Sequence, residues 1–422
     1  MSAARRPAIL GGTPLFAEPY HLVKPALPPR EEFAGRLREL YRSRILTNQG
    51  AQVRALEERL SEFIGVKHCA LFCNATVALM VLLRALDLEG EVILPSFTFA
   101  ATAQAALWAR LRPRFVDIDP GSLMLDPGRV AAAVGRRTAA ILGVNLFGSC
   151  CDHDRLRAVA DRHGLPLLYD SAQAFGTRYR GRMAGALGDA EVFSFHATKL
   201  FHTGEGGAIV TGDPGLYARV CRMRNFGFAA YLDCVDLGLN GKMPELSALL
   251  GLSLLRDLPR RIAQGRRVCR EYRRRLGAVP GLSLPEPRRE VSGNHSYFPV
   301  LVDPAGFGLS NLELNLALLH ERIVTRCYFY PPVHRTGYFR GLSRRSGGLP
   351  ETDRAARRVL CLPVRSDMRL EELERIVEAI VRCRVHAPAV RARAAGRLPA
   401  EWEALGERAA DPYDELILGH ER

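Results

Sequence analysis

Between about residue 46 and residue 212 the chain alternates short apolar runs with segments of helical periodicity, and that alternation leaves few folds open. VILPSFTF, RFVDID, AAILGVNLFG, PLLYDSAQAFG and AEVFSF have strand character. QVRALEERLSEFIG sets Val53, Leu56, Leu60 and Phe63 at helical spacing, DHDRLRAVADRHG is a helix ending at Gly164, and another helical segment opens at NATVALMVLLRAL. Strands this uniformly apolar are covered on both faces, and strand–helix–strand units join parallel neighbours. The expected fold class is therefore α/β, with a mostly parallel central sheet flanked by helices.

Near residue 255 the pattern gives way to an arginine-rich helical stretch, LPRRIAQGRRVCREYRRRLGAV, followed by the Pro-punctuated PGLSLPEPRRE. Beyond it, HSYFPVLVD reads as a strand and SNLELNLALLHERI and RLEELERIVEAIVRCR as helices, a smaller α+β unit. The expected division is an N-terminal arm over 1–45, a large domain over 46–260, a small C-terminal domain over 261–385, and a loosely attached polar tail with one amphipathic helix over 386–422. No internal repeat is present.

At 422 residues and 47% hydrophobic content the chain can bury a substantial core. No run of 18 apolar residues exists and the opening MSAARRPAILGG is too short for a signal-peptide core, so a cytoplasmic protein without membrane partners is expected. The ten cysteines lack C-x-x-C spacing and read as buried free thiols. Cys150, Cys151 and His153 are close in sequence, yet adjacent residues project apart, and no metal is expected there. Net charge is +14, but the arginines are spread along the chain without interleaved aromatics, which speaks against nucleic acid and remains compatible with a phosphate-bearing substrate.

Only four of the 59 basic residues are lysine: Lys24, Lys67, Lys199 and Lys242. Guanidinium serves wherever a fixed positive charge is enough, but it cannot lose its proton near neutral pH and act as an amine nucleophile. Lys199, in VFSFHATKLFHTGEGGAIVTG, follows an apolar strand. In open α/β sheets ligands bind beyond the carboxyl ends of strands, where Asp170 of LLYD and Ser194 of FSFHATK also fall. FCNATVALM puts Asn74, Ala75 and Thr76 at a helix start, where free N–H groups favour a phosphate. An amine, a buried acid and a phosphate-binding helix start are what pyridoxal phosphate requires. Each also has a plainer reading: chance survival of a lysine, a turn-forming Asp, a helix cap, a Gly-rich hairpin.

The order and wording of these motifs resemble the DegT/DnrJ group of sugar aminotransferases, fold type I pyridoxal-phosphate enzymes, from about Gly11 to Arg382. ILTNQGAQVRALEERL, PSFTFAAT, YDSAQAFG, SFHATKLFHTGEGGAIVT, GLNGKMPELSALLGL and CYFYPPVH carry the likeness in the family's order. The resemblance implies that residues 46–260 bind pyridoxal 5'-phosphate. Lys199 would form the Schiff base and then move the proton, and Asp170 would pair with the pyridine nitrogen. Gln173 would bond the phenolic oxygen and Phe99 would stack on the ring. Ala75, Thr76 and Ser194 would hold the phosphate, with Asn240 reaching in from the partner subunit of a homodimer with composite sites. Two departures stand out: Ala75 replaces the glycine many relatives have at the phosphate turn, and Asn-Gly-Lys-Met replaces the more usual Asn-Tyr-Arg-Met.

The expected activity is transfer of an amino group, with L-glutamate as donor, to a keto group of a nucleotide-linked deoxysugar, a dTDP-4-keto-6-deoxyhexose, in natural-product or surface-glycan biosynthesis. MRNFGF with NGKM favours that acceptor, whereas LGGTPLF leaves a cyclitol ketone (scyllo-inosose type) aminotransferase of antibiotic biosynthesis as the alternative. The dehydratase branch, which has histidine in place of the lysine, is disfavoured by Lys199, and a non-catalytic binding descendant by the simultaneous presence of lysine, acid and glutamine. Lys242 and His334 are candidate substrate contacts.

Overall fold

The computed structural model describes residues 5–286, 288–342 and 347–395. Seven strands form the central sheet: β1 His68–Phe72, β2 Glu91–Pro95, β3 Arg112–Val116, β4 Thr138–Val144, β5 Leu167–Asp170, β6 Ala190–Ser194 and β7 Gly207–Thr211. Their spatial order is β1-β7-β6-β5-β4-β2-β3, and β7 alone runs antiparallel to both neighbours. The five strands expected from apolar runs are β2 to β6. The other two, β1 and β7, lie together at one side of the sheet, one opened by His68 and the other by a glycine-rich turn.

Every residue of β2, β5, β6 and β7 is buried, because helices cover both faces. Each fully buried Leu, Ile or Val contributes about 1.5–3 kcal/mol relative to exposure, which is why these strands are mostly apolar, with Glu91, Asp170, Ser194 and Thr211 at strand ends and Glu191 inside β6. The helix Ala51–Ile64 turns Val53, Leu56 and Leu60 inward. Its Glu57 pairs with buried Arg224 at 2.5 Å and accepts from the Leu71 N–H at 2.8 Å, which fastens the helix to β1. The helix His153–His163 starts on the Asp152 side chain and stops at Gly164, whose φ of 62° is the left-handed conformation glycine tolerates.

A second sheet, β8 Leu282–Ser283, β9 Phe298–Val302 and β10 Val359–Leu362, is antiparallel in the order β8-β9-β10. It shares a separate apolar cluster with the helices Leu258–Leu276, Asn311–His320, Leu370–Val385 and Ala387–Ala394. Ile9, Phe16 and Tyr20 enter this cluster too, and buried Glu321 holds their segment by accepting from the Ala8 and Leu15 amides at 2.8 and 2.9 Å. The division expected at residue 260 falls in the first turn of Leu258–Leu276, a helix that places Leu258 in the first core and Tyr272 and Leu276 in the second. In the expected tail, Val390 is buried against this second core. The part of the expected tail beyond residue 395 lies outside the described residues.

All ten cysteines are free thiols, seven of them buried. Cys151 Sγ donates to the Val144 carbonyl, and His153 shares a 3.1 Å hydrogen bond with the Tyr169 hydroxyl. Among the described residues no helix is long and apolar enough to cross a membrane.

Candidate active site

The carboxyl ends of β5 and β6 and the start of the helix Ala75–Ala85 converge on one cavity of about 530 Å³. Seven of the ten residues singled out from the sequence line it: Ala75, Thr76, Phe99, Asp170, Gln173, Ser194 and Lys199.

Asp170, the last residue of β5, is buried and held at both oxygens. Oδ2 accepts from Thr102 Oγ1 at 2.7 Å and Oδ1 from the Ala172 N–H at 3.1 Å. Burial pushes this carboxyl above the usual range, while those two donors and the positive charge of Lys199 pull it back.

Lys199 lies in the connection between β6 and β7, on a turn closed by its N–H to the His196 carbonyl at 2.9 Å. Enclosure by the cavity brings its amine down to about 8; Arg326 adds to the fall and Asp170 opposes it. An amine at that value is about one-tenth deprotonated at pH 7, far more than a free lysine and beyond anything an arginine could reach.

At the other end of the cavity Asn74 caps the helix, its Oδ1 accepting from the Val77 N–H at 2.8 Å. The first-turn amides of Ala75 and Thr76 have no partner within the helix and carry the positive end of its dipole. Gly207 faces them from β7. A Cβ there would stand 2.6 Å from the Ala75 nitrogen, so glycine at 207 lets β7 lie close against the helix start.

Gln173 Oε1 accepts from the Phe147 N–H at 2.8 Å, which leaves its Nε2 to donate into the cavity. Phe99, at the N-terminus of the helix Ala100–Trp108, is 58% exposed on the cavity rim, unlike the fully buried Phe97 two residues earlier.

Three candidates lie elsewhere. Asn240 is exposed on a loop whose backbone pairs with Asn225. Lys242 Nζ donates to Asn225 Oδ1 at 3.0 Å and stands 4.8 Å from the Phe226 ring centre. His334 is buried, its ring bonded to Ser96 Oγ at 2.7 Å and 3.3 Å from Asp353, and does not line the cavity. Instead Arg326, Tyr328 and Phe329 do, from the same stretch of chain as CYFYPPVH. Thr102 was within reach of the sequence too, at the end of PSFTFAAT, but a threonine one turn into a helix carries no signal of the acid it serves.

The residues fit pyridoxal phosphate on their own chemistry. An acid secured by neutral donors suits a protonated ring nitrogen, a free helix start suits a phosphate, and an amine able to shed its proton lies in the same cavity. Fold and site together define a fold type I enzyme dependent on pyridoxal phosphate. The chain belongs to the DegT/DnrJ/EryC1/StrS aminotransferase family, whose sequence profile matches residues 29–381. It is 35% identical to the dTDP-4-amino-4,6-dideoxy-D-glucose transaminase of Escherichia coli, over 85% of this chain and 97% of that protein. The crystal structure of DesI in the presence of its TDP-sugar product superposes with a TM-score of 0.87 at 41% identity, covering 92% of this chain and 98% of DesI. Helicobacter pylori PseC, an aminotransferase of pseudoaminic acid biosynthesis, superposes with a TM-score of 0.81 at 26% identity, covering 86% and 98% of the two chains.

Proposed function

We propose that this enzyme moves an amino group from L-glutamate to the C4 keto group of a dTDP-4-keto-6-deoxyhexose. The observation that carries the reading is the likeness to DesI over 98% of its length, since that structure was determined with a TDP-sugar product. The named activity of the Escherichia coli relative supports the same substrate class. A cyclitol ketone acceptor is not favoured by these relatives.

Bound pyridoxal phosphate supplies an electrophilic carbon for the amine and a conjugated ring that accepts an electron pair. Residues 46–260 form the domain that holds it. Asp170, fixed by Thr102 and Ala172, accepts from the ring N–H and keeps that nitrogen charged. Gln173 Nε2 donates to the phenolic oxygen, and Phe99 covers the ring from the rim. The amides of Ala75 and Thr76 and the Ser194 hydroxyl donate to the phosphate, with Asn240 of a second copy completing that end in a homodimer. Lys199 Nζ takes the proton from the donor's Cα, then returns a proton to the carbon that becomes the product's amine-bearing centre. Lys242 acts indirectly, by holding Asn225 against the loop that carries Asn240.

The test is incubation of the purified enzyme with glutamate and a panel of keto-sugar nucleotides plus scyllo-inosose, reading 2-oxoglutarate. Formation with a dTDP-4-keto-6-deoxyhexose is expected. Formation with the inosose alone would overturn the substrate assignment and leave the aminotransferase intact.

A further inference from the structure

A second cavity, of about 460 Å³, opens between the helix Leu258–Leu276, the loop after β4 and the segment leading into β9. Its size is that of small-molecule sites, roughly 300–1,000 Å³. Arg266, Arg270 and Arg273 stand at positions i, i+4 and i+7 of the helix and so share one face, and Arg288 joins them in lining the cavity.

Little within the chain neutralises this group. Arg288 is paired with Asp152 at 2.6 Å, and Arg273 donates to the Pro285 carbonyl with only the exposed Glu286 near it, at 3.8 Å. Arg266 Nε faces His295 Nε2 at 3.4 Å, and Arg270 makes no hydrogen bond or ion pair among the described residues. Burial presses the His295 imidazole down to about 4, and the positive field of Arg266 and Arg273 adds to the fall. Such a field between low-dielectric walls concentrates anions.

The walls add a second chemistry. The rings of Phe147 and Tyr297 line the cavity with their centres 6.2 Å apart, beside Leu146 and Met124. Leu146 also lines the cofactor cavity, and Phe147 is the residue whose amide holds Gln173, so the two sites share a wall. We propose that this cavity is a second ligand site, for a nucleoside diphosphate, with the arginine face on the diphosphate and the aromatic wall against the base. The site is distinct from the cofactor cavity and does not depend on which sugar is aminated.

Calorimetry on the holoenzyme with dTDP, inorganic pyrophosphate and thymidine tests it. dTDP is expected to bind more tightly than pyrophosphate and to weaken as salt rises, with thymidine weakest. Arg270→Gln, at a side chain without partners among the described residues, should lower dTDP affinity by about 10-fold or more, since hydrogen bonds to charged groups are the strong ones; Arg270→Lys should restore part of it. The KM for the sugar nucleotide should move less than about threefold in Arg270→Gln. Unchanged dTDP affinity in that variant, tighter binding of pyrophosphate than of dTDP, or a KM that rises by the same factor as the dTDP dissociation constant would each overturn a separate nucleoside diphosphate site.

Discussion

Thr102 Oγ1 donates a 2.7 Å hydrogen bond to Asp170 Oδ2 and itself bonds Thr98 Oγ1 at 2.8 Å, so the acid at the end of β5 is held by a relay from the neighbouring helix start. Burial pushes Asp170 toward its neutral form and this donor opposes that push. Thr102→Val keeps the shape and removes the donor, and a hydrogen bond to a charged group is worth about 1.5–3 kcal/mol. Turnover is expected to slow by about 10-fold or more in that variant, with rescue by Thr102→Ser. Asp170→Asn goes further: the cofactor stays bound while turnover drops by roughly 10³-fold, about 4 kcal/mol of barrier. Near-normal turnover in Asp170→Asn would mean that another carboxylate serves the ring.

Borohydride reduction of the holoenzyme followed by peptide mapping should find the cofactor on Lys199. Recovery on Lys242, or on no lysine, would sink the assignment. Lys199→Arg should fold and lose transamination by at least about 10³-fold, since a permanently charged guanidinium cannot take up a proton.

The amine of Lys199 at about 8, against 10.5 for free lysine, has a direction that can be checked in the apoprotein. Between those values the unfolded chain keeps a proton that the folded chain has lost. Stability from this group therefore rises with pH from about 8 to 10.5, and below 8 the folded state bears the full cost of enclosing the charge. Competitive acetylation of the apoprotein should give Lys199 a midpoint near 8. Arg326→Gln should raise that midpoint and Asp170→Asn lower it, because the first removes a like charge and the second an attractive one. A midpoint at 10.5, or shifts of opposite sign, would contradict this electrostatic account.

Gly207→Ala probes the close approach of β7 to the helix start. With a Cβ 2.6 Å from the Ala75 nitrogen, backbone must move, and overpacking of this kind costs about 1–3 kcal/mol. Lower denaturation midpoints and weaker retention of the cofactor are expected together. A variant as stable and as retentive as the parent would show that the contact is slack.

Legibility in the sequence tracked how local each signal was. Strands β2, β4, β5 and β6 were readable because burial on both faces makes them largely apolar, β3 from its Phe115–Val116 end, and Asp170, Ser194 and Lys199 because residues at or just beyond strand ends face the ligand crevice. β1 and β7 were not: HCALF begins with a half-buried histidine and GAIVT emerges from glycines, so neither stood out from its flanks. Contacts between distant segments were hidden as well. Thr102 meets Asp170 across 68 positions, and Arg326 reaches the cavity from the chain that forms the second sheet. His334, named from its place after two prolines, instead has its ring bonded to Ser96 beyond β2, a pairing 238 positions apart.

Asn240 decides whether each active site belongs to one chain or two. Its loop is pinned, with the Phe226 N–H donating to the Leu239 carbonyl at 3.0 Å and the Cys73 N–H to the Gly241 carbonyl at 2.8 Å, yet Asn240 itself is exposed and lines no part of its own chain's cavity. The preceding segment exposes Phe226, Tyr231, Leu232, Val235 and Leu237, with Tyr231 at 94%, an apolar surface that a second copy would cover. In an isologous dimer with composite sites each chain would lend its Asn240 to the other's phosphate site. Mixing Lys199→Ala with Asn240→Asp, each inactive alone, separates the readings. In a mixed dimer with composite sites, one site combines an intact lysine from one chain with an intact asparagine from the other, and activity should return to about a quarter of the parent's. That fraction follows because half the dimers are mixed at equal concentrations and one of their two sites is whole. If subunit exchange is demonstrated by mass and no activity returns, Asn240 serves only its own chain, as the start of the turn before the helix Glu245–Leu255.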